Sequence, residues 1–147
     1  MTRLAVIVDT ANLYYAIKRN YPNKKLNYMA YLNAAVSSKE IVRAIAYSPQ
    51  ALRDARGFAD ALIHAGFEIC FKKQQQQMAL AIMAITLATK IETLILGSSD
   101  PIFIPLIQYL QTLGVKVIVF ACNIPQTLKS VATTTWEVSE IILQEDV

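Results

Sequence analysis

Residues 4–12 read LAVIVDTAN, a run of five apolar residues that ends at an aspartate. The run does not alternate with polar residues, so it predicts a strand that is buried on both faces. Residues 10–19 follow with apolar side chains at helical spacing and predict a helix directly after the strand. A strand followed by a helix is the unit from which parallel sheets are built, and Asp9 lies at its junction.

The same alternation continues to the end of the chain. Apolar segments predict further strands at 41–47, 67–71, 93–97, 115–120 and 135–138. Breaker and capping residues separate them from helices predicted at 26–36, 50–65, 74–89, 101–114 and 125–132. No linker or repeat interrupts the pattern. We therefore expect one α/β domain over residues 1–147, with three layers in which helices flank a Rossmann-like parallel sheet.

Composition narrows the class of protein. Hydrophobic residues make up 54% of the chain and charged residues only 17%, which predicts doubly buried strands or a hidden subunit interface. No apolar run reaches the length of about 18 residues that a membrane span needs, and the N-terminus lacks the pattern of a secretory signal. We expect a cytoplasmic protein with no membrane partner. A net charge of +3 permits nucleic-acid binding without requiring it.

Cysteine and histidine offer little chemistry. Cys70, Cys122 and His64 are isolated from one another, and together they are too few for a closed structural zinc site. We expect packing or surface roles for them. No glycine-rich nucleotide-binding motif is present, and the Ser98–Ser99 pair has no histidine nearby in the sequence, which disfavours a serine hydrolase.

Polar residues that follow the strands are the candidates for a functional site, because ligands bind beyond the carboxyl ends of open parallel sheets. Asp9 and Asp100 are the carboxylates in that set. If their strands are neighbours, both face one crevice, and with the amide oxygen of Asn12 they form a hard oxygen site suited to Mg²⁺ or Mn²⁺. Each aspartate also fits a helix N-cap, especially Asp100 before Pro101, and the sequence leaves both interpretations open.

Four motifs carry a resemblance to a known family. Residues 9–15, DTANLYY, resemble the D-x-x-N-L-Y opening of NYN domains, a group that includes the LabA-like proteins. Residues 96–107, LGSSDPIFIPLI, are similar to that family's S-G-D-S-D-F-x-P-L-I segment. Residues 113–117 resemble its L-G-x-x-V strand, and residues 128–141 resemble its closing segment, with Trp136 at the aromatic position.

The resemblance implies a PIN-like sheet with strand order 3-2-1-4-5 and a divalent-metal cluster that cuts RNA. Asp9, Asn12 and Asp100 match catalytic positions, with Asp9 and Asp100 as the metal ligands. We predict that these two carboxylates lie close together. Substrate contacts are predicted at Thr10, Lys72, Gln75, Ser98 and Ser99.

Three acids of the resembled motifs are missing. Gln75, Ala81 and Ile102 stand in their places, and we expect Gln75 to point into the crevice and Ile102 to pack over it. Two remaining carboxylates suit one hydrated Mg²⁺ or Mn²⁺ rather than two ions. The leading hypothesis is a weakened, metal-dependent ribonuclease that acts on single-stranded RNA. The alternatives are a domain that binds RNA without cutting it and an interaction module, such as a homodimer formed through residues 74–89.

Overall fold

In the computed structural model of this protein, which describes residues 2–37 and 39–146, a six-stranded parallel sheet forms the centre. The strands are β1 Arg3–Asp9, β2 Lys24–Leu26, β3 Glu40–Pro49, β4 Glu68–Lys72, β5 Thr93–Gly97, β6 Lys116–Ala121, β7 Thr134–Glu137 and β8 Leu143–Glu145. The central order is β4-β3-β1-β5-β6-β7, and β2 pairs with β8 in a small antiparallel sheet. The strand order predicted for the first five sheet strands is confirmed, and β7 extends the β6 edge.

Helices flank the sheet. They are α1 Thr10–Asn20, α2 Tyr28–Val36, α3 Phe58–Ala65, α4 Gln76–Leu87, α5 Ile104–Thr112 and α6 Gln126–Lys129. The chain steps from β1 through β3 to β4 and then crosses back to β5 and β6, so right-handed crossovers place α4 and α5 on the face opposite α1 to α3. In the part of the chain that the structure describes, no helix is both long enough and apolar enough to cross a membrane.

Several predicted boundaries are wrong for local reasons. The helix predicted over 26–36 begins two residues later, and Leu26 instead ends the strand β2, because the Asn27 side chain caps α2 by accepting from the Ala30 amide at 3.1 Å. The helix predicted over 50–65 is interrupted at Gly57, whose φ of 74° is left-handed. Only the segment after Gly57 is α-helical, and a short 3-10 turn over Gln50–Leu52 precedes it.

The core contains the buried strand β1 and a stacked pair of aromatic rings, one on α2 and one on β6. Residues Leu4 to Val8 are fully buried, as a strand covered on both faces should be. The Tyr31 ring on α2 stacks on Phe120 of β6 with centroids 4.2 Å apart, and its hydroxyl donates to the Phe120 carbonyl at 2.8 Å. These contacts tie α2 to the middle of the sheet.

Gly97, the last residue of β5, lies in the tightest part of this core. A Cβ added there would lie 2.5 Å from Val8 Cγ1 and 2.7 Å from the Tyr31 hydroxyl. Real Cβ atoms do not approach other atoms this closely, so any larger residue would push β5 away from β1. Only glycine lets the two strands pair at this register, in which Val8 is the partner of Gly97.

We expect Gly97→Ala to lower the free energy of unfolding by about 3 kcal/mol, because the added methyl overpacks a rigid strand pair. Denaturant unfolding measures the effect. Gly114→Ala is the matched control: it meets open space and should lose only about 1 kcal/mol, from a φ of 86°. Equal losses for the two variants would contradict the close approach of β1 and β5.

Candidate functional site

Asp9 and Asp100 meet at the carboxyl end of the sheet, where β1 and β5 are neighbours. The Gln77 side-chain amide nitrogen donates to Asp9 Oδ2 at 3.2 Å and to Asp100 Oδ2 at 2.9 Å. Two oxygens that bond one nitrogen at these distances lie within about 6 Å of each other. The prediction that the two carboxylates lie close together is confirmed.

Each carboxylate uses its two oxygens differently. Asp9 Oδ1 accepts from the Asn12 backbone amide at 3.3 Å and caps α1. Asp100 Oδ1 accepts from the Ile102 amide at 3.0 Å and caps the 3-10 turn before α5. The Oδ2 atoms remain for Gln77. The sequence left capping and a role in a shared site as alternatives for these aspartates. The two roles are compatible, because capping uses Oδ1 of each aspartate and the shared site uses Oδ2.

Asn12 holds the two halves of the site together. Its side-chain oxygen accepts from the Ser99 backbone amide at 2.9 Å and from the Ser99 hydroxyl at 3.1 Å. Asn12 thus joins the start of α1 to the loop after β5 and sets the distance between the aspartates. The same bonds occupy the amide oxygen that the sequence offered as a third metal ligand.

Thr10 and Ser98, both predicted to contact substrate, are fully buried behind the site. The Thr10 hydroxyl bonds the Tyr47 carbonyl at 3.3 Å and the Ser48 hydroxyl. The Ser98 hydroxyl accepts from the Asp100 amide at 3.1 Å. Their hydroxyls position the backbone around the aspartates, and this placement does not fit direct contact with a substrate.

Gln75 does not point into the crevice, so that prediction is wrong. Its φ of 62° places it before the first turn of α4, where its exposed side chain lines a neighbouring apolar groove. Gln77, two residues later, reaches the aspartates instead. Four consecutive glutamines give no signal for the position at which the helix begins. The glutamine predicted to point into the crevice was therefore placed two residues too early in the sequence.

Two further predicted positions lie outside the crevice. Ile102 is 59% exposed and lines the apolar groove, so the prediction that it packs over the crevice is also wrong. Its backbone amide bonds Asp100 Oδ1, whereas Asp100 Oδ2 accepts from Gln77. Lys72 is exposed at the end of the edge strand β4 and is not among the residues that line the crevice.

The crevice has a volume of about 290 Å³. The residues that line it are Asp9, Ala11, Asn12, Tyr15, Arg19, Gln76, Gln77 and Asp100. Tyr15 and Arg19 were not predicted as site residues. Their spacing of four from Ala11 places them on one stripe of α1, and this periodicity was the available signal. They add an exposed aromatic ring and a cation beside the aspartates.

Burial sets the electrostatics of the site. Asp9 is only 2% exposed, and this desolvation raises its pKa, with a further increase from the charge of Asp100. The bonds from Gln77 and from the Asn12 amide act in the opposite direction but do not cancel the increase. A buried carboxylate with a raised pKa, next to the charge of Asp100, forms a place where a cation would be stabilised.

The donor set limits which metal would fit. Within residues 2–37 and 39–146, no group of three or more histidine, cysteine or acidic side chains is placed to share an ion. Mg²⁺ often uses only one or two protein carboxylates and keeps several waters, so Asp9 and Asp100 fit one hydrated ion. They do not fit the two-ion cluster of a full acidic site.

A second cavity, of about 270 Å³, lies on the other side of α1. Its cationic lining comes from Lys18, Lys24, Lys25 and Arg56, and its aromatic lining comes from Tyr14, Tyr28 and Phe58. Lys24 pairs with Glu145 at 2.6 Å, and Lys18 donates to the Tyr14 hydroxyl at 3.3 Å. Among the described residues, no carboxylate lies within ion-pair distance of the other two cations.

Comparison with known proteins agrees with this architecture. A family model described as the NYN domain matches residues 3–139. A crystal structure of a protein of unknown function from Vibrio parahaemolyticus is similar, with a TM-score of 0.89 and 27% sequence identity. The likeness covers 97% of this chain and 96% of that one. A search of curated proteins found no match.

We expect Asp9→Asn to raise the thermal midpoint of the metal-free protein by a few degrees. Asparagine still caps α1 through its one oxygen, and its amide nitrogen, which takes the place of Oδ2, can donate to the Gln77 side-chain oxygen once that amide turns. The substitution also removes a buried charge that lies next to Asp100. The control, Asp54→Asn at an exposed turn, should leave the midpoint unchanged.

The same variant has a defined pH dependence. Because its folded-state pKa is raised, Asp9 holds its proton more tightly in the folded protein than in the unfolded chain. The Asp9 charge lowers the free energy of unfolding. This effect is absent in acid, where Asp9 is protonated, and it grows as the pH rises through the folded-state pKa. The stability gained by Asp9→Asn should therefore be larger at neutral pH than in acid, and a loss of stability at neutral pH would contradict the assignment.

Proposed function

This chain belongs to the NYN domain family, a PIN-like nuclease type of domain, and from this premise we propose that it is a weak, metal-dependent ribonuclease acting on single-stranded RNA. The observation that supports the proposal most directly is the pair of Oδ2 atoms of Asp9 and Asp100, bridged by one Gln77 nitrogen. Both atoms remain available after each aspartate has capped its helix. They are the ligands proposed for a single Mg²⁺ or Mn²⁺.

A divalent ion bound there would neutralise a phosphodiester and activate water. The chain's own residues would prepare the site for it. Asn12 fixes the loop after β5 against α1, so that the aspartates keep their separation. Arg19 and Tyr15 line the same crevice, where a guanidinium suits a phosphate and an exposed ring suits an unpaired base.

Gln77 explains why the activity would be weak. Its amide nitrogen donates to both carboxylates. It therefore occupies the position at which a cation would be coordinated by the same two oxygens. An ion must displace this nitrogen, and among the described residues no third carboxylate joins the pair in return. A neutral amide oxygen, presented by turning the Gln77 amide, is a weaker ligand than the carboxylate that the family motif supplies.

We expect Gln77→Glu to increase Mn²⁺ affinity about tenfold or more and to increase cleavage of single-stranded RNA, because it adds a third negative ligand at the crevice. Calorimetric Mn²⁺ titration and a gel assay with labelled RNA measure the two effects. Gln75→Glu is the matched control, since it adds the same charge two residues away in the apolar groove and should change neither.

The loss-of-function arm uses Asp100→Asn and EDTA, each of which should abolish cleavage. Cleavage that survives either treatment would refute the metal site. Equal increases in Mn²⁺ affinity and cleavage for Gln75→Glu and Gln77→Glu would show that the position of the added charge relative to the crevice does not matter. RNA that is bound but not cut, even by Gln77→Glu, would favour the second candidate function.

That second candidate is RNA binding without cleavage, and the cavity on the other side of α1 favours it. Four cations and three aromatic rings line this cavity, and the opposing negative charges within the described part of the chain are Asp146, which lines it, and Glu145, which pairs with Lys24. Its volume suits a group about the size of one nucleotide. Aromatic rings stack on bases and cations bind phosphates, so this lining matches single-stranded RNA without requiring the aspartates.

We expect the double variant Lys25→Ala with Arg56→Ala to weaken single-stranded RNA binding by about tenfold or more and to reduce its dependence on salt, because fewer counterions are released. Fluorescence anisotropy at several salt concentrations measures both. Lys90→Ala with Lys116→Ala removes two cations near the amino ends of β5 and β6, and this control should bind as the wild type does. A loss in the control that equals the loss in the cavity variant would contradict a localised contact.

A further inference from the structure

Helix α4 is apolar around its whole circumference. Leu80, Ala84 and Leu87 are buried against the sheet. On the outer side, Met78, Ile82 and Ile85 are 61%, 58% and 41% exposed, and they recur at helical spacing. A helix that is hydrophobic all round is normally buried, so the outer stripe lacks the cover that its composition indicates.

The exposed apolar surface continues onto the neighbouring helix. α4 contacts α5, and beside this contact Ile102, Tyr109 and Leu113 are 59%, 49% and 49% exposed. A groove of about 520 Å³ runs between the two helices and is lined mainly by apolar side chains. We call the outer surface of residues 74–89 and 101–115 the α4–α5 face.

The α4–α5 face carries no charged residue in either segment, although 17% of the chain is charged. In a symmetric dimer the same surface patch supplies both sides of the interface. Charged side chains near the centre of such a patch would face their own like-charged copies, at a cost of several kcal/mol, whereas a neutral face can meet itself without that repulsion. Neutrality across two helices thus favours a second copy of this chain over a partner recognised by opposite charge.

We propose that the α4–α5 face is the interface of a symmetric homodimer. At most 12 residues of 74–89 and 10 residues of 101–115 can contribute to the face, because these are the residues of the two segments that are not buried, and a standard interface uses about 20–30 residues a side. Its exposed methionine, isoleucine and tyrosine side chains match the apolar centre of homodimer interfaces.

The dimer would also shape the candidate site. Gln77 lines both the groove and the aspartate crevice, so a second copy seated on the groove would form a wall beside the crevice. The proposal stands on exposure and charge alone, however, and does not depend on RNA binding or cleavage. A failure of either function would leave it intact.

The test measures the mass of the full chain by light scattering and sedimentation over a range of concentrations up to about 100 µM. We expect a dimer for the wild type and a shift to monomer for Ile82→Glu, with the dissociation constant raised at least 100-fold. Ile63→Glu is the matched control, because Ile63 is 62% exposed on α3, outside the proposed interface, and its change should leave the dimer intact.

Circular dichroism establishes that each variant is folded. If Ile82→Glu is unfolded, Tyr109→Ser replaces it, since this smaller change also removes an apolar contact from the face. A wild-type chain that stays monomeric throughout the range overturns the proposal and indicates a different partner. A dimer that persists in both interface variants, or one that Ile63→Glu disrupts equally, also overturns it.

Discussion

Parallel pairing of β1 with β5 is the constraint on which the site depends. It places the ends of two strands side by side, with Val8 paired to Gly97, 89 positions later in the sequence. The pairing is possible because Gly97 has no side chain to collide with Val8 and the Tyr31 hydroxyl. Asp9 and Asp100 then emerge at one edge, and the Asn12 bond to Ser99 fixes them there. The carboxylate pair is thus a consequence of core packing.

The two oxygens of each aspartate have opposite effects on the stability of the folded protein. One oxygen of each aspartate caps a helix or turn, which stabilises the fold, while the other contributes to a concentration of negative charge. Gln77 reduces the repulsion with one neutral donor, and the raised pKa of Asp9 shows that the compensation is incomplete. The capping role alone would be met as well by asparagine at this position. The retained charge therefore favours a cationic ligand at this place.

Much of this architecture could be predicted from the chain. Continuous apolar runs such as residues 4–8 identify the central strands, and family motifs supply their order. Local sequence patterns did not predict the structure where several consecutive residues were identical. They also failed where a strand forms only by pairing with a segment distant in the sequence. The four glutamines gave no helix start, so Gln77 was missed, and the strand at 24–26 forms only because residues 143–145 pair with it. Tyr15 and Arg19 stand at helical spacing in the sequence, but no local pattern marks which stripe of a helix faces a crevice.

The positions of the lost acid and of the apolar face are physically connected. Ile102 stands where the resembled motif has a second acid, and it now lines the groove beside Gln77. A carboxylate there would place charge on a face that otherwise has none. Isoleucine at this position supplies no metal ligand and keeps the α4–α5 face neutral. The residue at 102 therefore suits the symmetric interface that we propose for this face, whereas a full acidic site would require a charge there.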